Sequence, residues 1–224
     1  MLVMRSCVMA LKVQQLSTFN LDKMKNNPTI QTIDTDFSKG RLNHIQNISL
    51  EDVAKFHGHL CDGLVVGFIG LKEALHQLYP DKIVDRTNTR MVSKSSPCST
   101  DVAIYLTGGR YQFNTFYVDD SISYSYIVQR IDNGLSYGVK LKPGIKPSII
   151  EEMGNKAIER KLSPCDLDQL KKLEDDFSAL LLSSATVDLF IVENINDFKW
   201  EPVLENKFVK TDIINKALPG CIPT

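Results

Sequence analysis

The chain has 224 residues, the length of one domain with or without an appendage. It is 43% hydrophobic and 24% charged, with a net charge of −1, so no electrostatic attraction favours nucleic acid or an anionic membrane surface. Its five cysteines are widely spaced and none forms a C-x-x-C pair, which argues against a disulfide scaffold, a redox dithiol and a conventional zinc ribbon.

Residues 1–45 are rich in Asn, Thr, Ser and Asp and lack sustained periodicity, which predicts a loosely held N-terminal segment. The opening MLVMRSCVMALKVQQL starts as a signal peptide does, but its apolar stretch is short, is broken by Lys12 and has no convincing cleavage site. Met24 follows closely, which is compatible with part of residues 1–23 being an upstream start-site extension. A reducing, cytoplasmic setting fits the cysteine usage.

Ser49 opens a predicted helix that stops at Gly58, with SLED as a capping-box-like start. A second helix is predicted from about Leu60 to Tyr79, before Pro80. Its apolar residues Leu64, Val65, Phe68, Leu71, Leu75 and Leu78 wrap most of its circumference, so it is central and buried. Gly63, Gly67 and Gly70 on this helix predict close approach of another backbone. The longest nearly apolar run, Leu60 to Leu71, falls short of the roughly 18 to 20 residues that cross a bilayer. RTNTRMVSKSSP reads as a strand, and CSTDVAIYLTGG as a helix ended by Gly108 and Gly109. SISYSYIVQRIDNGLSYGVKL is a hairpin about Asp132-Asn133-Gly134. Two further helices follow, the second with Ser163 as N-cap and Pro164 at its first position, and TVDLFIVENI is a late strand. The predicted fold is α+β: a mixed or antiparallel sheet packed against a buried central helix, with helical C-terminal segments. The predicted core spans residues 46–200, and residues 201–224 form a tail.

The chemistry concentrates in FHGHLCDG, residues 56–63. His57, His59 and Cys61 occupy alternate positions in a chain with only four histidines and five cysteines. In extended backbone all three share a side; in a helix His57 and Cys61 lie one turn apart. Imidazole and thiolate are ligands zinc prefers, and Cys98, just after Pro97, is the candidate donor from elsewhere. Asp101 can serve as an outer acceptor or weak ligand. Asp62 reads as a first-turn acid that meets the helix dipole. Packing alone also accounts for isolated His or Cys residues, and His44, His76, Cys7, Cys165 and Cys221 are read that way. Gly108-Gly109-Arg110 reads as a helix stop, KLKPGIKP as a solvated basic turn, and Tyr124 and Tyr126 as a packed sheet face.

SLEDVAKFHGHLCDGLVVG resembles the F-H-G-H-x-C-P-G-x-x-x-G signature of the E-subunit family of formylmethanofuran dehydrogenase, and CSTDVAIYLTGG resembles that family's second landmark. The resemblance covers about residues 48 to 145, with weaker agreement as far as DLFIVENI. It implies an α+β domain, often dimeric, with a metal pocket built from His57, His59, Cys61, Cys98 and Asp101. The chain departs from the pattern at Asp62, where members have proline, and at Gly109, where many have cysteine; Asp62 thereby becomes a pocket or outer-sphere candidate. The C-terminal zinc finger of longer members has no counterpart here.

Three functions follow from this reading. The first is a soluble metal-binding protein, zinc being the expected divalent transition metal, in an accessory or cofactor-handling role. The second is an enzyme, either a metal-dependent hydrolase or a thiol enzyme with Cys61 as nucleophile. The third is an interaction domain whose cluster locks the fold. A homodimer and a small-molecule ligand in the metal pocket are the expected partners, with no nucleic acid and no membrane.

Overall fold

A computed structural model describes residues 27–201 and 210–221. Strands β1 (Thr29–Thr35) and β2 (Leu42–Ser49) pair antiparallel, and β3 (Ile83–Asp85) joins β1 in parallel on its other side. A second sheet has the order β5-β4-β6-β7-β8, formed by β4 (Thr89–Ser93), β5 (Phe116–Val118), β6 (Tyr126–Arg130), β7 (Ser136–Leu141) and β8 (Phe190–Asn194). Within it β4 and β5 run parallel and the other pairs antiparallel, so both sheets are mixed.

Helix α1 (Leu50–His57) starts at Ser49, whose hydroxyl accepts from the Asp52 N–H while the Asp52 carboxylate accepts from Ser49 N–H. This reciprocal cap satisfies two donors that would otherwise be open. Gly58 ends the helix at φ 102, a left-handed conformation that favours glycine. Helix α2 (Asp62–Leu78) is the centre of the molecule: Leu64, Val65, Phe68, Leu71, Ala74, Leu75 and Leu78 are all 0% exposed. It packs on β6 and β7 and is flanked by α1, α3 (Pro97–Thr107) and α5 (Pro164–Ser183). Helix α4 (Ser148–Ile158) packs on α5, which docks through Leu170, Phe177 and Leu181.

The α+β architecture and the buried central helix agree with the sequence reading. Three local expectations do not hold. Residues 29–45, expected to be loosely held, form β1 and part of β2. Their apolar signal is thin because on β2 only Ile48 is fully buried and five consecutive residues face water. The first part of TVDLFIVENI is a helical turn, α6 (Thr186–Leu189), ahead of β8. The C-terminal residues 210–218 do not stand apart: Lys39 N–H donates to the Asp212 carbonyl at 2.8 Å and Leu42 N–H to that of Lys216 at 3.1 Å. Residues 1–23 lie outside the described residues, as does Cys7. Among the described residues no helix is long and apolar enough to cross a membrane.

Candidate metal centre

Two helix starts converge beside the end of α1. Cys61 caps α2 with extended backbone (φ −136, ψ 166), and its sulfur accepts from the Leu64 N–H at 3.4 Å. It is thus one position ahead of the helix, not inside its first turn as the sequence suggested. Cys98 follows Pro97 in the first turn of α3, which Ser96 caps. Both sulfurs therefore sit at positive helix ends, where a thiolate is favoured.

The sulfurs of Cys61 and Cys98 are 3.3 Å apart. His57 Nε2 lies 4.0 Å from Cys61 Sγ and 3.7 Å from Cys98 Sγ. Tetrahedral zinc with bonds of about 2.3 Å to sulfur and 2.0–2.1 Å to nitrogen has ligand–ligand edges of roughly 3.5–3.8 Å, so this triangle fits a metal with only small adjustments. Asp101 Oδ2 lies 2.7 Å from His57 Nδ1. That carboxylate fixes the ring with Nδ1–H donating outward and Nε2 turned to the sulfurs, the arrangement common behind metal-bound imidazoles.

His59 completes the cluster from the exposed side. Its ring centroid is 4.7 Å from that of His57, and the ligand atoms of His57, His59 and Cys61 all lie within 4.8 Å of one another. The position is open to exchange because His59 is exposed, whereas the His57 side chain is 6% exposed.

The contact between the two sulfurs couples their ionisation. Cys98 is lowered to about 7, chiefly because Cys61 hydrogen-bonds to it, while that same bond and burial push Cys61 upward. A cation bound by both sulfurs displaces the protons that they carry.

Asp62 is committed elsewhere. One oxygen accepts from the Gly63 N–H at 2.7 Å, and the other forms an ion pair with Lys146 at 2.7 Å. It contributes negative charge near Cys98 without facing the triangle as a ligand. The basic turn that holds Lys146 is therefore not merely solvated. No local sequence signal marks this contact, which joins residues on distant elements.

The glycines of α2 have intrachain explanations. A Cβ at Gly63 would stand 3.0 Å from Cys98 Sγ, one at Gly67 would stand 2.6 Å from the Tyr126 hydroxyl, and one at Gly70 would stand 2.7 Å from Phe190. Gly63 is thus the cradle that admits Cys98 to the cluster. The space at Gly63 and Gly67, where the sequence predicted close approach of another backbone, is occupied by side chains of the chain itself. Gly108 is the left-handed stop of α3 at φ 68, as expected. Cys165 and Cys221 are exposed and lie outside the cluster.

The fold and site define an α+β domain carrying a His/Cys cluster able to hold a metal ion. Residues 56–191, more than half of the chain, match the family described as FmdE, molybdenum formylmethanofuran dehydrogenase operon, and the chain belongs to that family. No curated protein matches it.

Proposed function

We propose that the chain binds one divalent transition metal, zinc by the chemistry of its donors, through Cys61, Cys98 and His57, with His59 or water at the exchangeable position. The observation that carries this reading is the triangle of 3.3, 3.7 and 4.0 Å among two sulfurs and an imidazole nitrogen. When bound, the metal supplies a Lewis-acid centre with an accessible coordination position. Asp101 orients the His57 ring, Gly63 makes room for Cys98, and Asp62 adds negative charge. The role is accessory or cofactor-handling, in a cytoplasmic protein. Elemental analysis of protein purified under reducing conditions tests it, with about one metal per chain expected and loss on substituting either cysteine.

A thiol enzyme is the second reading, favoured by the contact between the two sulfurs and the imidazole beside them. In that case Cys98, whose sulfur lies 3.7 Å from His57 Nε2 against 4.0 Å for Cys61, stands as a candidate nucleophile beside the Cys61 to which the sequence had pointed. A metal-free protein in which Cys98 is alkylated rapidly at neutral pH would support it. The chain also acts as a homodimer in this proposal, a state that the family resemblance supports. Sedimentation at micromolar concentration tests it, and a monomer mass would contradict it.

A further inference from the structure

Beside the metal centre a cavity of about 140 Å3 lies along α2, from Gly63 to Gly70. Gly63 belongs to both, since it touches Cys98 and lines the cavity. The character of the walls changes along the helix. Near Gly63 and Gly67 stand Ser96 and Ser99, at the start of α3, and Tyr126. Towards Gly70 the wall is Phe190, with Val139 and Leu141 completing the apolar lining.

Tyr126 is the informative residue. It is 2% exposed, and its hydroxyl, which lies against Gly67, is buried without a hydrogen-bond partner. The Ser99 side chain lies close enough to bear on its ionisation but makes no hydrogen bond of acceptable geometry. Directly opposite in the sheet register, Ser93 is 0% exposed and carries a second hydroxyl without a partner. Buried polar groups are nearly always satisfied, so an orphan hydroxyl on a cavity wall points to something that enters the cavity.

The charges specify what enters. No carboxylate lines the cavity; of its two lysines, Lys146 is already paired with Asp62 at 2.7 Å and Lys140 holds its ammonium over the Tyr124 ring. The field at this end of the cavity comes from the positive end of α3, an eleven-residue helix, beside the unpartnered Tyr126 hydroxyl. These groups suit a single anionic head, while the Phe190 end offers no cation for a second one. A dry cavity of about 150 Å3 accepts benzene, so this one admits a ligand of roughly six or seven non-hydrogen atoms.

We propose that the cavity binds a small apolar monocarboxylate, with its carboxylate at Tyr126 and the start of α3, beside the metal centre, and its hydrocarbon end against Phe190. This deepens the metal-centre reading, on which it rests only for what stands beside the carboxylate; the binding residues themselves belong to the cavity. The probe is 3-methylbutanoate, with its neutral amide as the control. Both are titrated by calorimetry into the full chain, zinc-loaded and chelator-treated. The carboxylate should bind with a Kd of about 1 mM or below, within the range for so small a ligand, and the amide at least about 10-fold more weakly. Tyr126→Phe should weaken the carboxylate about 10-fold without changing the thermal midpoint, as expected for loss of a hydrogen bond to a charged group. Ser99→Ala, on a different element, provides the same test should Tyr126→Phe unfold. If chelation unfolds the chain, the zinc-loaded arm decides. Zinc retention, measured separately, reports on the metal reading: protein that retains no zinc yet binds the carboxylate through Tyr126 and Ser99 supports the cavity and removes the metal. No binding in any folded form, equal binding of the amide, or indifference to both variants would overturn the proposal.

Discussion

His57 shows how one contact sets the chemistry of the cluster. Its Nδ1 is 2.7 Å from Asp101 Oδ2, which leaves Nε2 as the nitrogen facing the two sulfurs. Asp101→Asn keeps the shape but replaces the charged acceptor with an amide, and should weaken metal affinity about 10- to 100-fold while the fold persists. Competition against a chelator of known affinity measures this; unchanged affinity would mean that Asp101 does not orient the ring. At this scale the sequence was informative wherever ligands are neighbours. The spacing of His57 and Cys61 exposes their convergence directly, and Cys98 and Asp101 were legible through the second family landmark. Tyr126 and Lys146 were not. Tyr126 looks like any alternating strand residue, and Lys146 meets Asp62 only because the turn before α4 folds back onto the start of α2.

Among the elements, α2 carries the fold and its glycines decide how closely it is packed. At Gly67 a methyl group would meet the Tyr126 hydroxyl at 2.6 Å, whereas at Gly154, inside α4, it would meet nothing within 4 Å. Overpacking costs about 1–3 kcal/mol, and glycine-to-alanine in a helix gains at most about 1 kcal/mol. Gly67→Ala should therefore destabilise by about 1–2 kcal/mol and Gly154→Ala stabilise by about 0.5–1 kcal/mol, read from denaturant unfolding; the reverse order would contradict the packing described. The other end of α2 carries a pH response. Burial first, then Lys72 and Lys82, lower His76 from 6.5 to about 4. Between these values the unfolded chain binds the proton that the folded chain refuses. The stability from this residue is therefore full above pH 6.5 and is lost as the pH falls towards about 4. His76→Gln should flatten the fall of the unfolding midpoint between pH 6.5 and 4; an unchanged slope would show that His76 is not responsible. Helices such as α1 and α5 were legible because their caps and acidic first turns are local signals. Strands β1 and β2 were not: β2 is an edge strand with five exposed residues in a row, and the central β1 buries Ile30 and Thr32 in alternation, of which only Ile30 is apolar.

For the whole molecule, both sheets and the flanking helices serve to bring the starts of α2 and α3 beside the end of α1. That convergence joins residues 57 and 61 to residue 98 across 37 or more positions of sequence. The FmdE family assignment covers the segment that contains all of them. The central claim is that these side chains hold a metal together, and it is tested most directly by elemental analysis of the purified chain beside its Cys61→Ser and Cys98→Ser variants, with folding verified by circular dichroism. The parent should carry about one divalent transition metal per chain, and each variant should lose most of it. Unchanged metal content in both folded variants, or a parent that retains none, would contradict the account.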